Sequence, residues 1–196
     1  MIKNTKIALF ALALSGLMAS CKKEDKGGPG GDSCTNNGYT KYLKVGNKLV
    51  YNYSELSFSE DTTMTLEVVG KKGDAYEFHI SGGGQWGAAA GNKRFMKECN
   101  DWVLVHDSNE PVSPGNRTYQ LNRKKGDTWK VSSVSTYTVI DKEVTVTTPA
   151  GTFTCDKITF HLDGAINTDT IYYSDEIGTV KYDGMVNEYE LKSKNF

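Results

Sequence analysis

Apolar and polar residues alternate one by one in stretch after stretch of this chain, and that pattern restricts those stretches to β-strands. Met64, Leu66 and Val68 alternate with Thr65 and Glu67. Tyr76, Phe78 and Ile80 alternate with Glu77 and His79, and Val144 and Val146 with Thr145 and Thr147. Ile158, Phe160 and Leu162 alternate with Thr159 and His161. A period of two places each apolar set on one face of a pleated strand, one face buried and the other solvated. Beyond Cys21 no run longer than a turn or two keeps helical spacing. Composition agrees where it bears on this point: after residue 20 there are eight Leu and six Ala against eighteen Thr. Helix formers are scarce there and β-branched residues plentiful.

Turn signals separate the alternating runs. Gly70-Lys71-Lys72-Gly73-Asp74 lies between two of them, and Cys99-Asn100 closes another hairpin. Pro149-Ala150-Gly151 joins two more, with Pro presetting φ and Gly accepting positive φ. Asp175-Glu176-Ile177-Gly178 turns the last strands. About eleven or twelve strands are expected, hence an all-β single domain of long, curved antiparallel strands, a half-barrel or open barrel. Phe153 and Cys155 differ in parity from Ile158, Phe160 and Leu162, which requires either a bulge near Asp156 or a strand covered on both faces. Lys44-Val45-Gly46-Asn47-Lys48-Leu49 echoes Lys124-Lys125-Gly126-Asp127-Thr128-Trp129. Ordinary turn chemistry accounts for that echo before a duplicated half does.

The first residues carry an address. Lys3 and Lys6 precede an uncharged stretch, residues 7–17, too short to span a bilayer, and small residues then lead to Cys21. Residues 1–20 read as a signal peptide, and Leu17-Met18-Ala19-Ser20-Cys21 resembles a bacterial lipobox, with Met18 where Leu is commonest. Cys21 is the expected lipidation site. The run Lys23-Glu24-Asp25 resembles the lipoprotein export signal of Bacteroidetes, which implies an outer-membrane protein facing the cell exterior. Residues 21–38 form the lipidated Cys and a Gly-rich tether, and residues 39–196 the β-domain. The sixteen residues from Lys22 to Asn37 have a mean reach of about 20–24 Å.

Charge narrows the partners. The net charge is −1 for 196 residues, and loss of Lys3 and Lys6 leaves 21 basic against 24 acidic residues, a charge of −3. No nucleic-acid partner is expected, because that needs a basic face. His79, His106 and His161 lack metal-ligand spacing, and no nucleophile motif occurs. Asp107-Ser108-Asn109-Glu110 lacks the Gly and the final Glu of a calcium loop. The expectation is therefore no enzyme, no metal and no cofactor. Partners are a membrane, through the anchor, and a protein, glycan or lipid ligand. Trp86, in a Gly/Ala-rich segment, is the candidate contact residue. Asp61-Thr62-Thr63 and Asp169-Thr170-Ile171 fit a loose O-glycosylation pattern.

With Cys21 lipidated, three sulfurs remain in an oxidising compartment. Cys34 lies where the tether meets the domain and Cys99 at a hairpin end, whereas Cys155 is strand-like. The pair Cys34–Cys99 with Cys155 free is the expected arrangement. A bridge to Cys155 or three thiols remain the alternatives.

The run Val144-Thr145-Val146-Thr147-Thr148-Pro149-Ala150-Gly151-Thr152-Phe153, with Lys157-Ile158 after it, resembles a broad set of bacterial envelope β-domains. So does Ile171-Tyr172-Tyr173 followed by Gly178-Thr179-Val180-Lys181 and the closing Tyr189-Glu190-Leu191-Lys192. The resemblance covers roughly residues 39–196. It implies a curved antiparallel sheet similar to the half-barrel of lipoprotein-localisation carriers, and no catalytic residues. Two roles follow: a surface binding or structural module, or a carrier or sensor of a lipid or other apolar ligand. A concave face filled by large side chains favours the first, and a cavity of several hundred Å³ the second.

Overall fold

The structure is a computed structural model that describes residues 34–55, 62–84, 93–106 and 117–196. Among the described residues twelve strands succeed one another: β1 (Lys48–Glu55), β2 (Thr62–Lys72), β3 (Ala75–Gly82), β4 (Lys93–Cys99), β5 (Trp102–His106), β6 (Arg117–Gln120), β7 (Thr128–Lys130), β8 (Ser135–Thr148), β9 (Gly151–Leu162), β10 (Thr168–Ser174), β11 (Gly178–Asp183) and β12 (Asn187–Lys194). They form one antiparallel sheet in the order β6-β5-β4-β3-β2-β1-β12-β11-β10-β9-β8-β7. Every neighbour is a chain neighbour except at the centre. There β1 meets β12, with Tyr53 opposite Tyr189 and Tyr51 opposite Leu191.

The sheet is open, because no ladder joins β6 to β7. It is nevertheless strongly curled, as the right-handed twist of many strands requires. The Tyr119 ring of β6 stacks on Tyr173 of β10, centroids 4.4 Å apart. The indole N–H of Trp129 in β7 donates to the carbonyl of Thr118 at 2.9 Å. The alternation then sorts side chains between the two faces. In β1 every second residue is buried, from Leu49 through Tyr51 and Tyr53 to Glu55. Met64, Leu66, Phe78 and Ile80 join Leu49 and Tyr51 in the main core cluster. A second cluster gathers Trp129, Tyr137, Val139, Ile158, Ile171 and Tyr173.

The parity conflict in β9 is met by covering both of its faces, since Ile158 and Cys155 belong to separate buried clusters, and the bend lies in its partner. The register of β8 shifts between Val139 and Asp141 and again between Asp141 and Val144, and Glu143 takes φ +56. The extra residues stand opposite Asp156. On one side of this bend Ile158 packs with Tyr137. On the other side Cys155 packs with Val146 and Val180. The hairpin tip then reaches the central seam, where the N–H of Ala150 donates to the Leu191 carbonyl at 3.2 Å.

The two echoing turns have the same geometry. Gly46 and Gly126 both have φ +89. Asn47 N–H donates to the Lys44 carbonyl at 3.0 Å, and Asp127 N–H to the Lys124 carbonyl at 3.1 Å. Gly46 and Asn47 exchange backbone hydrogen bonds with Val68, and Gly126 and Asp127 do the same with Val139. Each turn thus docks on the second strand of its half. The strand order fits as well: moving six places along the sheet carries β1–β6 onto β7–β12 in sequence order. The echo is therefore structural, beyond what shared turn chemistry alone would produce.

Candidate binding cavity

Strand direction gives the domain two ends. At one end lie the β4–β5 turn, the Pro149-Ala150-Gly151 tip and the β10–β11 turn; at the other lie the β9–β10 and β11–β12 turns. The first end is plugged. The Tyr42 ring sits against Phe78, its hydroxyl shares a 3.0 Å hydrogen bond with that of Tyr173, and its N–H donates to the Glu176 carbonyl. Arg123, whose side chain is wholly buried, pairs there with Asp156 at 2.8 Å and Asp175 at 2.7 Å. Its guanidinium lies over the Tyr173 ring.

The opposite end holds a cavity of about 490 Å³, within the usual size range of small-molecule sites. Register explains its lining. Tyr137 pairs with Phe160, Phe160 with Asp169, Ile171 with Tyr182, and Tyr182 with Tyr189, so one face of four strands carries aromatic rings. Tyr182 and Tyr189 stack at 5.0 Å. From the other half of the sheet come Arg94, Val105 and Tyr119, and Leu162, Ala165, Met185 and Val186 line the turn end. Met185 and Val186 are exposed, and so is Ile166 beside Ala165. A smaller recess of about 50 Å³ continues toward Tyr42, and Arg94, Tyr119 and Tyr189 border both spaces. The lining therefore places Arg94 at the neck.

The wall also carries polar side chains: Arg94, Thr118, Asn167, Asp169 and Asn187. The Asp169 carboxylate accepts a hydrogen bond from the Tyr182 hydroxyl and one from Met185 N–H at 3.1 Å. Burial pushes the hydroxyls of Tyr137, Tyr182 and Tyr189 above the ordinary tyrosine range, with Arg94 partly opposing this at Tyr137 and Tyr189. These groups stay protonated donors at neutral pH.

Cys21, Lys23, Glu24, Asp25 and Trp86 lie outside the described residues. Cys34 and Cys99 are bridged, with Cα atoms 4.8 Å apart, and Cys155 is free and buried. The bridge is flanked by a buried carboxylate. Glu98 accepts from Asn37 N–H at 2.7 Å, and from the N–H and hydroxyl of Thr40 at 2.9 and 2.7 Å. Residues 34–40 are thereby held to the β4–β5 end. His79, His106 and His161 lie on three different strands, and no metal-ligating cluster occurs among the described residues.

No protein-family model matches the chain, and no curated protein matches it in sequence. Two solved structures resemble its backbone. One is a candidate exported protein of YmcC-like fold from Bacteroides fragilis, at 15% identity and TM-score 0.45, covering 78% of this chain and 97% of that one. The other is a candidate lipoprotein from Parabacteroides distasonis, at 13% identity and TM-score 0.41, covering 83% of this chain and 99% of that one.

Sequence reading singled out none of Arg94, Tyr137, Tyr182 or Tyr189 as cavity residues. The available signal was parity. Arg94 is in phase with the buried Met96 on β4, so its charge sits on the inward face of an alternating strand. Asp169 carries no cavity signal in the sequence, where it belongs to the O-glycosylation pattern.

Proposed function

We propose that this protein is a lipid-anchored envelope protein that carries or senses a small, largely apolar molecule on the concave side of its sheet, without catalysing a reaction. The cavity carries this reading: about 490 Å³ of space walled by aromatic and aliphatic groups together with a few polar side chains that could orient a ligand is the usual make-up of a small-molecule site. A purely structural or protein-docking module would have no use for it. The address rests on the sequence. Cys21 after a short apolar stretch supports lipid anchoring, and Lys23-Glu24-Asp25 supports display on the outside of the outer membrane.

Native mass spectrometry of the protein extracted from membranes tests the binding role. The expected result is a mass beyond that of the lipidated chain, lost on solvent extraction and less abundant in Val105→Trp, in which a larger side chain intrudes on the cavity. A bare wild-type chain, or an adduct equally abundant in Val105→Trp, would reject it.

A further inference from the structure

Two charged side chains line the cavity, Arg94 and Asp169. Arg94 already has a partner within the protein. Asp169 is half-buried at the turn end, and among the described residues its partners are both neutral, the Tyr182 hydroxyl on one carboxylate oxygen and the Met185 N–H on the other. The connections outside those residues, 56–61, 85–92 and 107–116, contain no Lys, Arg or His that could neutralise it. An ionised carboxylate has about four acceptor sites, so lone pairs remain for a ligand. Pairing register sets aromatic rings beside it. Phe160 of β9 stands opposite Asp169, so the two side chains share a face. The Tyr137 ring lies 5.0 Å from that of Phe160, and the Tyr189 ring 5.0 Å from that of Tyr182. Elsewhere the chain covers its rings with its own cations: Lys71 over Tyr76, Lys72 over Phe95, Arg117 over Trp102 and Arg123 over Tyr173. Among the described residues none lies over Phe160 or Tyr182. Ring faces attract a cation and a carboxylate pairs with one, so this part of the wall matches a single positive charge.

We infer that the cavity takes an amphiphile whose polar end is a protonated amine. The ammonium group donates to the Asp169 carboxylate and lies against the rings of Phe160 and Tyr182. The apolar body packs along Tyr137 and Tyr189. Arg94 borders the inner recess and Asp169 does not, so a positive charge is favoured at the turn end and repelled from the neck. A molecule with a carboxylate head would bring like charge to Asp169. An alcohol would make a hydrogen bond there without the charge that strengthens it.

This inference rests on the binding role proposed above, and the test separates the two. The mature chain carrying Cys21→Ala avoids detergent and is titrated at neutral pH with dodecylammonium, dodecanol and dodecanoate, followed by calorimetry. Dodecylammonium should bind most tightly and dodecanoate least. Asp169→Asn keeps the side chain's size and one carbonyl acceptor, and should weaken the amine by about tenfold or more with little change for the alcohol. Asp163→Asn removes an exposed carboxylate from the adjoining turn, outside the cavity lining, and should leave amine binding unchanged. In the wild-type chain, amine binding no tighter than that of the alcohol would overturn recognition of the charge while leaving the cavity as a binding site, and this comparison stands even if Asp169→Asn fails to fold. Amine binding indifferent to Asp169→Asn, or weakened as much by Asp163→Asn, would make the attraction a general one and overturn it as well. Failure of all three probes to bind would overturn the binding role itself.

Discussion

The thiol of Cys155 is 2% exposed and packs with Val146 and Val180. Burial first, and then the neighbouring Asp156 charge, push it up to about 12, with Arg123 opposing. The thiolate is the reactive form, so iodoacetamide at pH 8 should label no cysteine of the domain in its native state. In denaturant it should label Cys155 alone, and after reduction Cys34 and Cys99 as well. A Cys155-containing disulfide peptide, or three labelled thiols without reductant, would be incompatible with this arrangement. The linkage has a sign. The folded-state value lies above the unfolded one, near 8.5, so this contribution is intact below about pH 8 and is lost as the pH rises and the unfolded chain ionises. The urea midpoint should therefore fall between pH 8 and pH 10, and fall less in Cys155→Ala. The bridge closes a separation of 65 residues, for which chain entropy gives about 4 kcal/mol. Cys34→Ser should cost about 2–4 kcal/mol by urea melts, because the bridge enters the unfolded state as well as the folded one. The cysteines could be sorted from their positions in the chain. Glu98 could not, because its partners are Asn37 and Thr40, 61 and 58 residues away.

Hairpins and alternating strands were legible because their signals are local. The alternations of residues 62–82 and the Pro149-Ala150-Gly151 turn each declare themselves within a few residues. The β1–β12 seam joins positions about 140 residues apart, and nothing local encodes it. The cavity inherits that difficulty: its tyrosines read as ordinary strand formers until the seam brings Tyr189 beside Tyr53. The doubled turn is testable at this scale. Gly46 and Gly126 share φ +89, and a Cβ at either would meet nothing within 4 Å, so substitution costs backbone strain alone. Gly46→Ala and Gly126→Ala should each lose about 1–2 kcal/mol, by nearly equal amounts. Gly70, equally open but without the positive φ, is the control, and Gly70→Ala should be close to neutral or slightly stabilising. Unequal losses at the first two sites would separate the turns energetically, and a loss at Gly70 matching theirs would remove the left-handed explanation.

For the whole molecule, the place where the chain enters the domain matters as much as the cavity. Cys34 is bridged to Cys99 at the β4–β5 turn, and Glu98 fixes the following residues there. The cavity mouth, at Leu162, Met185 and Val186, belongs to the other end of the strands. The chain leading to Cys21 thus joins the domain at its plugged end. Between Cys21 and Cys34 run twelve residues, four of them Gly. A stable membrane hold needs two acyl chains or one chain with a second signal, so Cys21→Ala should move the signal-cleaved protein from the membrane to the soluble fraction. Replacing Lys23, Glu24 and Asp25 together by Ala should leave it in the outer membrane but hidden from protease added to intact cells. Continued membrane retention of the first variant, or unchanged protease access in the second, would remove those two assignments separately. The mouth can be probed in the same cells. Ile166, 99% exposed between β9 and β10, is replaced by Cys and treated with a water-soluble maleimide. If Cys21 carries the anchor proposed above, the bridge of Cys34 to Cys99 at the opposite end predicts that labelling of the membrane-bound protein matches that of the same variant carrying Cys21→Ala. Much slower labelling when anchored would mean that the mouth rests on the bilayer and loads from it, rather than from the water beyond.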